Sequence, residues 1–325
     1  MVEISILGTN AKKTDFISLQ QCSDGCFEVG KSGVDSIFAT LDRKVEFIFF
    51  VDHVLAYVKS ALGYPAYYPV LSTKIVKPIK AVLMDLDGTS VHSESFWIWI
   101  IQKTVASLLG NPIFELDKSD LSHVSGHSVS EHLQYAIKKY CPEKTVEEAR
   151  VFYFQHTHYE MKEITEGRGK VDAFSPTPGL KEFLCALKAM GIKIGLVTSG
   201  LYEKAWPEIC SAFRQLDMGN PKDFYDAIIT AGFPLRKGEA GTLGELSPKP
   251  HPWLYSETAR IGLGIGSKDR HHVIGIEDSG AGVCSVRLGG YSVIGFAGGN
   301  ILESGTRSLC THYCKSFEEI LALVK

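Results

Sequence analysis

The sequence predicts a doubly wound α/β fold with a parallel sheet at its core, an α-helical cap inserted after the first core strand, and a small N-terminal α+β extension. Three observations carry that prediction. Ala81–Met84, Ile192–Val197 and His272–Ile276 read as strands buried on both faces. Helical patterns alternate with such strands after residue 174, as parallel pairing requires. Between residues 93 and 173 the strand signal disappears and helical periodicity takes over.

Composition sets the outer bounds. A chain of 325 residues has room for more than one domain. Its hydrophobic share of 45% and charged share of 22% are those of a globular protein in water. A net charge of -3 supplies no electrostatic attraction for nucleic acid or an anionic membrane, so neither is expected as a partner. The 8 cysteines have no framework spacing, which fits a reducing compartment better than a secreted scaffold. The start, MVEISILGTN, lacks the basic region of a signal peptide. Val45–Val51, the longest strongly apolar run near the start, is far short of the roughly 20 residues of a spanning helix. These features predict a cytoplasmic protein.

Residues 1–70 form the extension. Val2–Leu7, Phe16–Leu19 and Val45–Phe50 read as strands. Asp52–Leu62 reads as a helix, with Val54, Leu55, Val58 and Leu62 on one face. Cys22 and Cys26 are a lone pair, read as reduced thiols in a loop. Pro65, Pro69 and Pro78 mark Tyr64–Lys80 as a connection, with residues 71–79 as the linker proper. The core then comprises residues 80–92 and 174–325, and the cap residues 93–173.

Within the cap, Glu94–Leu109 is an apolar and aromatic helix stopped by Gly110-Asn111-Pro112. Val129–Tyr140 and Thr145–Ile164 are further helices, the latter with Glu147 and Glu148 in its first turn, where the helix dipole favours acids. The α/β rhythm resumes with a helix over Pro176–Met190, closed by Gly191. After the strand Ile192–Val197 come a helix over Glu203–Phe213 and a strand over Asp226–Thr230. A Gly-rich loop over Phe233–Leu246 precedes the helix Trp253–Ile261 and the strand His272–Ile276. Gly282–Leu288 is a helix, Tyr291–Phe296 a strand and Ser316–Val324 a closing helix.

Chemistry gathers where these strands stop. The first core strand ends in Asp85 and Asp87, followed by Gly88 and Thr89. Ligands of open α/β sheets bind just outside the carboxyl ends of the strands. Two acids there repel unless a cation or a proton separates them, and a hard divalent ion resolves the conflict. Gly88 lets the backbone approach a phosphate closely. Later strand ends carry Thr198-Ser199-Gly200 and Glu277-Asp278, and Lys249 sits in the loop SPKPHP. Taken singly, each motif has an ordinary explanation: Asp85 or Asp278 as a helix N-cap, Lys249 as a surface lysine. Together and in this order they form a strong signal.

The set resembles the haloacid dehalogenase superfamily, in its members with a helical cap after the first motif. The matching pieces are DLDGT at 85–89, Thr198 in GLVTSG, Lys249 in SPKPHP and GIEDSGAG at 275–282. PTPGLKEFLCALKAMG at 176–191 also looks like that group's return from cap to core. The resemblance spans residues 79–325 and does not reach the extension. It implies a magnesium-dependent phosphohydrolase acting on a small phosphorylated metabolite. Asp85 would be the nucleophile that forms an aspartyl-phosphate, and Asp87 the general acid and then base. Magnesium would be held by Asp85, the Asp87 carbonyl, Asp278 and Glu277. Gly88, Thr198, Ser199, Gly200 and Lys249 would bind the phosphate. An acid retained at Asp87 points to phosphate monoesters rather than to carbon–halogen or carbon–phosphorus cleavage.

Within the cap, SHVSGHSVSEHL at 122–133 resembles the substrate loop of phosphoglycolate phosphatase and β-phosphoglucomutase relatives. It makes Ser125, His127 and Ser128 the candidates for contacting the leaving group. The cap's other histidines lack a repeated metal spacing, and Trp97 and Trp99 suit core packing. Cys310 and Cys314 likewise suit thiols better than zinc. Two features depart from the family pattern: the long loop over Phe233–Leu246, with Arg236 and Lys237, and the extension itself. The leading substrates are sugar phosphates and phosphoglycolate. A hexose-phosphate phosphomutase shares every core motif and is the second reading. A non-catalytic binding protein on the same fold is the third, against which the retained cluster of acids argues. The oligomeric state is not encoded in these motifs.

Overall fold

A computed structural model describes residues 3–59, 65–117, 119–120, 129–230 and 247–325. The chain forms two compact units, one of residues 1–89, 178–202 and 222–325, the other of residues 90–177 and 203–221.

The first unit opens with an antiparallel sheet of five strands in sequential order: β1 (Ile17–Leu19), β2 (Val34–Ala39), β3 (Val45–Phe50), β4 (Val54–Lys59) and β5 (Pro65–Pro69). This corrects the expected α+β extension in its helical part. Where a helix is expected over Asp52–Leu62, the described residues Val54–Lys59 instead make a hairpin with β3, pairing Val45 with Val58 and Phe49 with Val54. Val54, Leu55 and Val58 satisfy helical spacing, but the β-branched and aromatic run VLAYV suits a strand better, and the turn closes through Phe50 N–H to the His53 carbonyl at 2.9 Å. The Val2–Leu7 strand is also absent among the described residues; Ile4–Ile6 is one short 3-10 turn. Part of the proline-marked connection is the edge strand β5, where a residue that cannot donate to a ladder is tolerated.

The extension keeps one small apolar cluster of its own, around Cys22, Val34, Ile37, Ile48 and Tyr57, and shares the rest of its core with the catalytic unit. Phe38, Val45, Phe47, Phe49, Val54, Ala56 and Val58 join one apolar cluster with Leu83, Leu254, Tyr255, Val273, Val286 and Val293 of the catalytic core. Arg287, buried in that core, donates to the carbonyls of Leu7 and Ile6 at 3.1 and 2.9 Å.

The core strand β6 (Ala81–Asp85) follows, then the short ribbon partners β7 (Val91–His92) and, much later, β8 (Ser175–Pro176). Between them the second unit carries α1 (Glu94–Leu109), α2 (Val129–Tyr140) and α3 (Val146–Thr165). Gly110, at φ +61°, stops α1. Thr145 caps α3 through a reciprocal pair of hydrogen bonds with Glu148. Phe96 and Trp97 are buried, and the Phe96 ring meets that of Phe174 at 4.7 Å.

The remaining elements are α4 (Leu180–Ala189), β9 (Lys193–Thr198), α5 (Tyr202–Gln215), β10 (Ala227–Thr230), α6 (Trp253–Glu257), β11 (Val273–Glu277), α7 (Gly280–Leu288), β12 (Ser292–Phe296), β13 (His312–Cys314) and α8 (Phe317–Val324). Residues 203–221, read from sequence as core, cluster with the helical unit. There Ser211 Oγ donates to the Val171 carbonyl at 3.0 Å and Gln215 Nε2 to that of Phe174 at 2.9 Å. The parallel sheet runs β10-β9-β6-β11-β12-β13, so the strand ending in Asp85 lies in its middle. That order reverses direction at β6, which is where an open sheet builds its crevice. Among the described residues no helix is long and apolar enough to cross a membrane.

Candidate active site

Three adjacent strands bring the sequence motifs to one level. Asp85 is opposite Val197, one residue before Thr198, and Met84 is opposite Ile276, one residue before Glu277. Parallel pairing in this register therefore places Asp85, Thr198 and Glu277-Asp278 together at the carboxyl edge of the sheet. Hydrophobic burial along β6, β9 and β11 fixes the register, because these strands are buried on both faces except at Lys193.

The turn after β6 needs its glycine. Gly88 has φ +85°, and a Cβ there would lie 2.1 Å from Asp278 Oδ2. Gly299 approaches the same carboxylate from the turn after β12, where a Cβ would lie 2.4 Å from Oδ2. Thr89 donates to Asp278 Oδ1 at 3.4 Å. Asp278 is thus held in a space from which side chains are excluded on two sides.

Lys249 enters the cluster from its loop with its side chain buried. Its ammonium lies 2.6 Å from Glu277 Oε1 and also contacts Asp85 Oδ1. Glu277 is engaged at both oxygens: Tyr255 OH donates to Oε1, and Ser279 Oγ donates to Oε2 at 3.1 Å. The loop is tied to the neighbouring strand end, since the Lys249 N–H donates to Ser199 Oγ at 3.1 Å. Thr198 Oγ1 stands 3.5 Å from Asp87 Oδ2, the long limit of a hydrogen bond, and accepts from the Gly200 N–H at 2.9 Å. The Gly200 amide, expected to face phosphate, is thus turned onto Thr198.

Charge is unbalanced here. Burial raises the Asp85 carboxyl well above its ordinary range, Glu277 raises it further, and Lys249 opposes both. Asp278 is pushed up to about 8, first by burial and then by Glu277. Burial pulls the Lys249 ammonium down, but the charges of Asp85 and Glu277 outweigh it and hold it above its usual value. One lysine does not neutralise Asp85, Asp87, Glu277 and Asp278, so the cluster favours a further cation. One carboxylate oxygen each from Asp85, Glu277 and Asp278 lie within 4.8 Å of one another, the only such group of acid, histidine or cysteine ligands among the described residues. Hard oxygen donors at that spacing fit magnesium. The Asp87 carboxylate is outside this group.

Ser125, His127 and Ser128 lie outside the described residues, as does the loop Phe233–Leu246 with Arg236 and Lys237. Cys22 is buried and donates to Glu46 Oε2 at 2.9 Å, whereas Cys26 is exposed. Sequence reasoning missed Thr89, Tyr255 and Gly299. The Gly298-Gly299 doublet after an apolar strand was a usable signal for close backbone approach. Tyr255 had none, because an aromatic residue on an amphipathic helix reads as core.

A family model described as haloacid dehalogenase-like hydrolase matches residues 79–283. No curated protein matches the chain. Among solved structures, a predicted phosphoglycolate phosphatase from Haemophilus somnus is 18% identical, with a TM-score of 0.58, over 77% of this chain and 100% of its own. The CbbY protein from Rhodobacter sphaeroides, solved with xylulose-(1,5)bisphosphate, is 17% identical with a TM-score of 0.54, over 74% and 96%. β-Phosphoglucomutase from Clostridium difficile is 21% identical with a TM-score of 0.52, over 74% and 93%. At these identities the likeness is one of fold.

Proposed function

The chain belongs to the haloacid dehalogenase-like hydrolases, and from that premise we propose that it removes phosphate from a small phosphorylated metabolite through an aspartyl-phosphate on Asp85. The observation that carries this reading is the contact of Lys249 with Asp85 at the end of the central strand, with Asp87 two residues on beside Thr198.

In the first step an Asp85 oxygen attacks phosphorus as the bond to the leaving oxygen breaks, and Asp87 gives its proton to that oxygen. In the second step the Asp87 carboxylate takes a proton from water, whose oxygen attacks phosphorus and breaks the bond to Asp85. Lys249 and Thr198 stabilise the phosphoryl oxygens throughout, and Lys249 opposes the burial and the Glu277 charge that raise the Asp85 carboxyl. Gly88 leaves space at the turn for the phosphate, and the Ser199 and Gly200 backbone contributes donors once Thr198 turns to it. Magnesium would be held by Asp85, Asp278 and the Asp87 carbonyl, with Glu277 closing the acidic set through Lys249. When bound it supplies the positive charge that lets an anionic nucleophile meet an anionic substrate.

Ser125, His127 and Ser128 are the residues we propose to contact the leaving group, a sugar or a glycolate. The eight free cysteines support a cytoplasmic setting. The test is phosphate release from a panel of phosphorylated metabolites, with magnesium and with chelator. Magnesium-dependent release from a narrow set is the expected result. Little phosphate release, with isomerised product formed only after a sugar bisphosphate is added, would replace this reading by a phosphomutase. Absence of turnover together with no trapping of Asp85 by a phosphate-mimicking fluoride complex would leave a binding protein.

A further inference from the structure

The loop that carries Lys249 is braced by the N-terminal sheet. His251, two residues after the lysine, is buried, and its Nδ1 lies 2.8 Å from the hydroxyl of Tyr68 on β5. The two rings meet edge to face at 5.9 Å, and Tyr68 meets Trp253 in the same way at 6.2 Å. The main chain of Lys59, at the end of β4, borders the imidazole as well. On the far side, Ser285 Oγ of α7 donates to the His251 carbonyl at 2.6 Å. His251 is therefore gripped at its ring by the extension and at its backbone by the core.

We propose that Tyr68 is a positioning residue for the active site, fixing the Lys249–Pro252 loop through His251 so that the lysine ammonium meets Asp85 and Glu277 together. The inference rests on the phosphate-binding role assigned to Lys249 above. Its physical basis is leverage. Two residues span no more than about 7 Å of chain, so a shift of the His251 ring passes to the lysine with little loss. An ammonium on a flexible four-carbon stem has no rigidity of its own, and the loop must supply it. A misplacement of about 1 Å at such a group costs on the order of a hundredfold in rate. The extension, which lies outside the matched family region, would then serve catalysis while touching no substrate.

The alternative is that Tyr68 merely packs. Tyr68→Phe in the full chain separates the two, because it keeps the ring contacts with His251 and Trp253 and deletes only the hydroxyl. The expected result is a kcat about tenfold lower, the loss of one hydrogen bond's worth of alignment, with little change in Tm. A lower Tm with unchanged kcat would overturn the proposal. Affinity for inorganic phosphate, measured by calorimetry, gives a readout that does not need turnover. Tyr68→Phe should weaken it in the wild-type background and have no effect on top of Lys249→Ala. Equal effects in both backgrounds would overturn the positioning role. If no ester is hydrolysed by the wild type but this non-additivity holds, the phosphatase reading falls and the positioning role stands.

Discussion

The Lys249 ammonium stands 2.6 Å from Oε1 of Glu277, whose other oxygen is already taken by Ser279. In the mechanism proposed above, Glu277 acts on catalysis chiefly by holding the lysine. Glu277→Gln keeps the shape and the hydrogen bond from Tyr255 but removes one of the lysine's two counter-charges. We expect kcat to fall by about tenfold to a hundredfold, with the magnesium concentration for half-maximal activity nearly unchanged. Titrating magnesium against both proteins checks this. A large rise in the magnesium requirement would make Glu277 a direct ligand instead.

Asp85 and Asp87 differ in what their loss should do. Asp85→Asn removes the nucleophile and also relieves a buried acid of its raised pKa, so turnover should vanish while the melting temperature holds or rises. Asp87→Asn leaves a nucleophile without its acid. Its rate should fall by on the order of a hundredfold or more with alkyl phosphates, and by much less with an aryl phosphate whose leaving group needs no proton. Comparing the two ester classes checks the assignment. An equal loss on both would remove Asp87 from leaving-group protonation.

The site was legible where its signal is local in the chain. Asp85 and Asp87 end an apolar strand and Glu277 and Asp278 end another; singly each has an ordinary explanation, but their recurrence in order along the chain reads as chemistry. The order of the strands then brings them together. Local signals failed in the extension. Val54, Leu55 and Val58 fit both helical and strand spacing, and only the pairing with β3 and β5 decides between them. In β2 the register slips between Val34 and Ser36, which blurs the alternation that marks a strand. Tyr68 and Tyr255 were invisible for a different reason. Their partners, His251 and Glu277, are brought near by tertiary packing, and no spacing within the chain announces such a contact.

Arg287 tests whether the extension is integral to the catalytic unit. Its Nε donates to the Leu7 carbonyl at 3.1 Å, and its Nη2 to those of Ile6 and Leu71 at 2.9 and 3.3 Å. Burial pulls the guanidinium down to about 10, still charged at neutral pH; main-chain carbonyls, not a carboxylate, take its Nε and Nη2, while its buried Nη1 has no hydrogen-bond partner among the described residues. Arg287→Met retains the stem and strands these carbonyls. The loss should be roughly 3 kcal/mol of unfolding free energy, read as a lower urea midpoint. A single transition should persist, because the apolar cluster runs through both parts. A separate early transition of the extension would contradict a shared core.

Asp120, in the helical unit, predicts a pH dependence unrelated to the active site. It is buried and accepts from Tyr135 OH at 2.8 Å, from Lys139 Nζ at 2.6 Å and from Tyr140 OH. Burial alone would raise this carboxyl, but Lys139 and the two phenols outweigh it and lower it to about 2. A carboxyl lowered on folding stabilises the folded state above its unfolded value near pH 4, and that contribution disappears as the pH falls towards 2. Its size is about 2 kcal/mol. Asp120→Asn should therefore be less stable than the wild type at pH 7 by about this amount, with the gap closing between about pH 4 and pH 2. Urea unfolding of both proteins across that range checks the sign. A gap that stays constant down to pH 2 would mean that the asparagine fails through packing, and that the charge of Asp120 contributes nothing.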